Sequence, residues 1–289
     1  MITYNPKDWF RLIFRFHSSD TFRILLPTMV LLGLFTALLV HLEQRHNFGL
    51  KSAIVFHQIL GFVLSMLLVF RINTAYERWW EGRKLWGSLV NNSRSLAAKF
   101  SGFLRTDHDR DLRFLSSCLA AFPFALRDHL RGRRMDISAL QLPPEIIEEL
   151  SSAPHQPLCL YAAIITRLGT LRTSKTFTDE HLLLLNPEVF SLIDITGACE
   201  RIKASPIPFS YSLFLKKIIF AYVITMPITF SIEYGYWAIP AVVLVFYAFA
   251  SLEIVSEEVE EPFGTGANDL PTDELSEKIR RDIQQVVRI

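Results

Sequence analysis

The sequence predicts an all-α membrane protein with four transmembrane helices and a large helical cytoplasmic region. Half of the 289 residues are hydrophobic, 23 of them are phenylalanine, and the mean hydropathy is positive at +0.26. A soluble chain of this length needs less apolar surface to fill one core. The apolar residues also cluster in four segments, each long enough to cross a bilayer core of about 30 Å as a helix. These segments flank a polar middle region, residues 71–209.

The four predicted spans are Phe22–Leu42, Ala53–Phe70, Ser210–Ile232 and Gly235–Ser256. An even number of spans places both termini and the middle region on one side of the membrane. Basic residues flank the first two spans on that side, and such residues favour the cytoplasm. The chain is therefore expected to be a multi-pass protein of the cell (inner) membrane with both termini cytoplasmic.

The middle region, residues 71–209, and the C-terminal segment, residues 257–289, are predicted to form the helical cytoplasmic region. Apolar residues recur there at spacings of three and four, which is typical of amphipathic helices. The predicted helices are Ser93–Leu104, Leu112–Leu130, Glu145–Leu150, Leu158–Leu171 and His181–Arg201. Another amphipathic helix is expected to begin at Thr272, and the basic cluster Arg131–Arg134 is expected to form a loop. Residues 1–289 are interpreted as a single channel-type domain.

Composition excludes several function classes. The net charge of +1 gives no basic surface for nucleic acid. Cys118, Cys159 and Cys199 are widely separated and form neither a disulfide framework nor a metal-binding spacing. The sequence contains no His-Glu-x-x-His, Gly-x-Ser-x-Gly, Cys-x-x-Cys or phosphate-binding glycine loop. We therefore expect no enzyme activity and no cofactor.

Three groups of residues have more than one interpretation. His57 in the second span is either a proton switch or a histidine paired with a neighbouring helix or subunit. The aromatic residues Tyr76, Trp79, Trp80 and Trp86 form either a ligand cage or, as we favour, a structural anchor between subunits near the membrane–water boundary. The glutamates near residues 253–261 form either a solvated acidic face, again favoured, or a vestibule that concentrates cations.

The segment Phe70–Gly87, which reads FRINTAYERWWEGRKLWG, resembles the bestrophin family of ion channels and especially its bacterial branch. Further resemblance follows in the family's order and covers most of Phe10–Asp282. It is found at Leu150–His155, at Cys199-Glu200-Arg201-Ile202, at Pro206–Tyr211, at Glu261-Pro262-Phe263-Gly264 and at Asn268-Asp269-Leu270-Pro271.

The resemblance implies a homopentamer with one central pore. It places an apolar neck in the membrane at Ile54, Gln58 and Phe62, and a cytoplasmic aperture near Leu183. The three neck residues are four apart and share one helix face. Gln58 departs from the family's apolar pattern, and its amide could instead hydrogen-bond a neighbouring helix. Five copies of Ile54 and Phe62 would form hydrophobic rings able to gate by dewetting.

The predicted function is a passive channel for small monovalent ions. The family is known for chloride and other anions, whereas bacterial members can conduct monovalent cations. The residues favour a channel because the spans contain no ionised carboxylate at mid-membrane. A secondary transporter of a small ion or solute is the alternative, since that class favours broken helices and Pro227 and Pro240 could kink the last two spans. A second alternative is a scaffold protein without transport activity.

Eukaryotic family members bind calcium after the Pro-Phe-Gly motif. Here that stretch, Thr265–Asp269, supplies one carboxylate and one amide, whereas calcium prefers six to eight oxygen ligands. The calcium clasp is therefore expected to be lost. The expected partners are other copies of this chain, the lipid bilayer and permeant ions.

Overall fold

The structure, a computed structural model, describes residues 21–46, 54–104, 109–138 and 140–287. All regular structure in these residues is helical, which confirms the predicted class. The helices are α1 (Thr21–His46), α2 (Ile54–Phe103), α3 (Asp109–Leu130), α4 (Pro144–Ser152), α5 (Gln156–Thr173), α6 (Asp179–Ala204), α7 (Phe209–Tyr234), α8 (Ala238–Glu260) and α9 (Thr272–Val287). A short 3₁₀ turn, Gly235–Trp237, joins α7 to α8. The predicted start of the second span, Ala53, and the N-terminal end of the family resemblance, Phe10, lie outside the described residues.

The helices belong to two compact units. The first unit comprises the chain up to Trp79 together with Pro206–Glu261 and Gly266–Asn268. The second unit comprises Trp80–Ser205, Pro262–Thr265 and the chain from Asp269 onward. All four predicted spans fall in the first unit, and α2 contributes residues to both.

The first unit is built around the packing of α1, α7 and α8 on one another. Its core contains Leu32, Leu64, Leu68, Met226 and Val242, all of them buried. Many apolar side chains on the same helices are exposed in the single chain, as expected for helices whose outer faces meet lipid or other subunits.

Four helical stretches are long and apolar enough to cross a membrane: Thr21–His46, Ile54–Phe103, Asp179–Ala204 and Phe209–Glu260. Three of them contain the four predicted spans. The stretch Asp179–Ala204 was predicted as a helix but not as a span. Its Glu188 accepts a hydrogen bond from Lys99 at 2.6 Å, and its Glu200 contacts two histidines, so it carries polar contacts within the second unit.

In the second unit, α3 packs against α5 and α9. Its buried residues include Phe100, Leu115, Phe122, Leu160 and Leu192. The start of α6 follows from its sequence, because Thr178 and His181 form a reciprocal capping box there. The predicted helix His181–Arg201 is thus found as Asp179–Ala204. The cysteines Cys118, Cys159 and Cys199 are buried and free.

Candidate functional site

The predicted neck residues lie in the first three turns of α2. Ile54 is the first residue of that helix and is partly buried, whereas Gln58 and Phe62 are exposed. At 1.5 Å per residue, the row spans about 12 Å along the helix. Phe62 is 71% exposed, an unusual state for a phenylalanine with no further contact. In this single chain the row is thus available to an axial pore, to lipid or to another subunit.

The predicted aperture residue Leu183 lies in the second turn of α6, in the second unit. It is 73% exposed. Pro187 and Phe190 follow it at spacings of four and three and are exposed as well. One face of α6 is therefore largely apolar and uncovered within the chain, while Leu185, Leu192 and Ile195 are buried.

His57 is held inside the chain by α7. Its Nε2 lies 3.1 Å from the Thr225 hydroxyl and its Nδ1 lies 3.2 Å from the Thr229 hydroxyl. The side chain is buried and its ring is tilted against Tyr222 at a centroid distance of 5.6 Å. Of the two interpretations, the structure supports a histidine paired with a neighbouring helix.

A buried cation lies at the junction of α2 and α8. Arg71 is 1% exposed, and its Nη2 donates to Glu260 at 2.7 Å. Its Nε lies 3.8 Å from a carboxylate oxygen of Glu253, which is also buried. The other carboxylate oxygen of Glu260 accepts from the backbone N–H of Ile207 at 2.7 Å. One glutamate thus joins α2, α8 and the start of α7.

The favoured interpretation of the glutamate run as a solvated acidic face is wrong for Glu253 and Glu260. Both are buried, because Arg71 supplies the opposite charge. Glu257 pairs with Lys216, and Glu258 accepts from the side-chain amide of Asn268 at 2.7 Å. These carboxylates have local partners, so they act first as structural groups.

The aromatic residues after the second span are used as packing groups. Tyr76 stacks on Trp79 at 6.0 Å, and the Trp79 indole N–H donates to the backbone oxygen of Asn268 at 3.0 Å. Trp86 is fully buried in the second unit. These contacts lie within the chain, so anchoring between subunits stays a prediction. Gly82 allows the connecting segment after α8 to lie close to α2. A Cβ added at Gly82 would lie 3.1 Å from the Phe263 side chain and 3.2 Å from the Leu270 side chain. The close neighbours of Gly82 are thus residues of this segment and not of another helix.

The stretch that corresponds to the calcium clasp is engaged in internal contacts. In the second unit, the Asp269 carboxylate is packed against Gly264, where an added Cβ would lie 2.5 Å from an Asp269 oxygen. The backbone N–H of Leu270 donates to Pro262 at 2.8 Å and closes this loop. The loss of calcium binding stays a prediction.

Two clusters of charged and histidine side chains could not be identified from the sequence. One is Arg71 with its two glutamates, each of which lies more than 180 positions after Arg71. The other is His129, His155 and Glu200, which come from three segments of the second unit. The only evidence for them in the sequence is that Arg71, His155 and Glu200 each fall in a segment that resembles the bestrophin family.

The architecture, with two helical units of which one is rich in membrane-length helices, defines a helical integral membrane protein. A profile described as bacterial/fungal bestrophin protein matches residues 1–285. The chain belongs to this family.

Curated relatives match the whole chain. The voltage-dependent anion channel-forming protein alr2987 of Nostoc sp. is 32% identical, with 100% of this chain and 94% of the relative covered. The voltage-dependent anion channel-forming protein YneE of Escherichia coli (strain K12) is 30% identical, with 99% and 94% covered.

Solved structures have the same fold. A bacterial bestrophin homolog from Klebsiella pneumoniae, determined by Zn-SAD phasing, superimposes with a TM-score of 0.83 at 28% identity. That superposition covers 92% of this chain and 98% of the homolog.

Proposed function

We propose that this protein is a passive channel for small monovalent ions, with its pore on the axis of a homopentamer. The observation that carries the proposal is the full-length relationship to relatives named as anion channel-forming proteins, at 32% and 30% identity. Similarity along the whole chain matters here because a pore requires both the spans and the residues that surround its mouth.

The exposed residues of α2 support a neck. Five copies of Phe62 around an axis would form a hydrophobic ring, and such a ring controls conduction by excluding water. Gln58, one turn away, would add a ring of amides that keeps water at that level. Since Gln58 and Phe62 are exposed in the chain, both side chains are free to take these positions.

The uncovered face of α6 supports the aperture. Leu183 and Phe190 are 73% and 58% exposed on this face. An exposed apolar face of this kind is typical of a surface that contacts another protein, and neighbouring subunits around an axis would supply that contact. We assign the second unit and both termini to the cytoplasm, in accord with the basic residues that flank the spans.

The continuity of α7 and α8 favours a channel over a carrier. Secondary transporters place their binding sites at broken helices. In this chain α7 continues through Pro227 from Phe209 to Tyr234, and Pro240 lies in the first turn of α8, where proline is tolerated. These two prolines therefore create no break of the kind that a carrier uses.

The proposal is tested by recording the purified protein in planar bilayers under a KCl gradient. We expect discrete single-channel steps, and the sign of the reversal potential identifies the permeant ion. Slow, saturable uptake into vesicles without current steps would contradict a channel. The current should be the same with added calcium and with a calcium chelator, as expected for a lost clasp.

The neck is tested by Phe62→Ala, which removes the proposed ring and should raise unitary conductance several-fold. Phe56→Ala is the matched control, since Phe56 is also exposed but projects from another side of α2. Equal effects of the two substitutions would place the neck elsewhere. Native mass spectrometry should show five chains per particle, and a monomer would contradict the proposal.

A further inference from the structure

Two histidines and a glutamate from three different helices meet in the second unit. His129 lies in the last turn of α3, His155 is the residue that caps the start of α5, and Glu200 lies near the end of α6. The Nε2 atoms of both histidines lie 2.7 Å from the same carboxylate oxygen, Glu200 Oε1. The two rings are 4.2 Å apart at a 31° tilt.

The cluster is held in place by the ends of its helices. His129 precedes Leu130, whose backbone oxygen accepts a hydrogen bond from Lys203, one turn beyond Glu200. The side chains are partly accessible, with exposures of 30% for each histidine and 36% for Glu200. Three ligand atoms within 4.8 Å of one another therefore lie where an ion from solution can reach them.

We propose that His129, His155 and Glu200 form a binding site for Zn²⁺ or a similar divalent transition metal. Two imidazole nitrogens and one carboxylate form a three-ligand set that zinc accepts, with water as the fourth ligand. The nitrogen donors favour a transition metal over magnesium or calcium, which prefer oxygen ligands throughout. It is the only group of at least three such side chains among the residues that the structure describes. None of its three residues is among the proposed neck and aperture residues.

The contacts of 2.7 Å are hydrogen bonds between the ligands of a metal-free site. Around a tetrahedral zinc ion, with ligands at about 2.0–2.1 Å, neighbouring donor atoms lie roughly 3.3 Å apart. Metal binding therefore requires the Glu200 oxygen to lie roughly half an ångström farther from each histidine nitrogen, with each N–H···O contact replaced by bonds to the ion. Partly exposed side chains at helix ends can make this adjustment without disturbing the buried core.

The hydrogen bonds also assign the proton on His155. The backbone N–H of Leu158 donates to His155 Nδ1 at 3.1 Å, so Nδ1 has no proton and Nε2 carries it. A metal on Nε2 must displace that proton, and in the neutral ring it moves to Nδ1. Nδ1 then can no longer accept from Leu158. Metal binding is therefore coupled to the loss of the helix cap of α5.

The test is a zinc titration of the full-length protein in detergent after treatment with a chelator. Calorimetry should show one Zn²⁺ per chain. Glu200→Gln and His129→Gln should each weaken binding at least tenfold. His155→Asn should do the same while keeping the cap, because asparagine is also a favourable N-cap residue. His181→Asn is the matched control: the His181 ring contacts the rings of Phe103 at 4.6 Å and Phe177 at 5.7 Å, and its loss should leave zinc binding unchanged.

A second readout follows the cap. On zinc binding, hydrogen exchange at the Leu158 amide should become faster, whereas a site formed without His155 would leave it unchanged. Unchanged zinc affinity in His155→Asn, equal losses in His181→Asn, or no saturable binding of one ion per chain would overturn the proposal. If Glu200→Gln fails to fold, His155→Asn decides. None of these measurements depends on ion conduction, so the outcome is independent of the channel proposal.

Discussion

Tyr222 of α7 lies directly against Gly61 of α2: a Cβ added at Gly61 would fall 2.7 Å from the Tyr222 hydroxyl oxygen and 3.2 Å from the ring carbon that bears it. Real Cβ atoms do not approach another atom this closely, so only glycine fits at position 61 while the ring keeps its place. Tyr222 belongs to the core of the first unit and also contacts His57. The contact therefore sets how closely the second and third spans approach, one turn from the proposed neck residue Gln58.

Gly61→Ala should lower the thermal stability of the detergent-solubilised protein. Overpacking a closed contact costs about 1–3 kcal/mol. Gly102→Ala on the same helix is the control, because its added methyl meets nothing within 4 Å and should be neutral or stabilising. Adding Tyr222→Phe to Gly61→Ala should restore part of the melting temperature. Failure of that rescue would show that the hydroxyl contact is not the cause.

Arg71→Met should destabilise the protein strongly. It leaves the buried carboxylates of Glu253 and Glu260 without their cation, and breaking a buried ion pair from one side costs about 3–5 kcal/mol. The control is Arg201→Gln, which removes a pair with Glu81 whose side chains are 66% and 42% exposed. Exposed pairs contribute about 0–1 kcal/mol, and the melting temperature of Arg201→Gln should therefore hardly change. Similar shifts in the two variants would contradict a special role for Arg71.

Leu183→Ala should change the permeability ratios among small monovalent ions, because a shorter side chain widens the proposed aperture. Leu184→Ala is the matched control. Leu184 is 55% exposed beside Leu183's 73%, yet it projects about 100° away around α6. Reversal potentials in bi-ionic solutions provide the measurement. An unchanged permeability sequence in Leu183→Ala would show that the constriction lies at another residue.

Asp273 should contribute to stability above acidic pH. The Arg131 guanidinium donates to both oxygens of this carboxylate, at 3.0 and 2.7 Å, and holds the pKa of Asp273 below its usual range. The stabilisation is present above the carboxyl's unfolded-state pKa and is lost as the pH falls through the lower folded-state pKa. Because Asp273 is 58% exposed, we expect about 1 kcal/mol at neutral pH.

Melting temperatures measured across the acidic range test this contribution. Asp273→Asn should lower stability at neutral pH and show a weaker loss on acidification than the unmodified chain. Glu274→Gln, an exposed neighbour in the same turn of α9, serves as the control. A parallel pH profile for Asp273→Asn and the unmodified chain would mean that the Arg131 contact does not affect stability.

The helices could be predicted because their signals are local. The predicted helix Leu158–Leu171 was found as Gln156–Thr173, and the predicted start at Thr272 is the observed start of α9. The predicted boundary between the last two spans also lies close to the observed end of α7, because Gly235 has a positive φ of 52° that ends this helix. Apolar periodicity and turn residues carry this information within a few turns of chain.

The side-chain clusters could not be predicted because tertiary packing forms them. Arg71 and Glu260 meet only after α2 and α8 pack, and nothing near either residue identifies its partner. His155 looks from sequence like a loop residue after proline, but its ring caps a helix with one nitrogen and contacts Glu200 with the other. The neck and aperture assignments were made from the family resemblance, and subunit geometry decides them.

The three native cysteines should give no background signal when the protein is labelled with thiol reagents. Cys118, Cys159 and Cys199 are all buried, and burial raises the pKa of Cys118 and of Cys199 to about 12 and raises the pKa of Cys159 as well. Only thiolates react readily with maleimides and methanethiosulfonates, so the native thiols should not be labelled at neutral pH. A single new cysteine at position 62 or 183 can therefore be read out directly, with no need to rebuild the core around alanine or serine replacements.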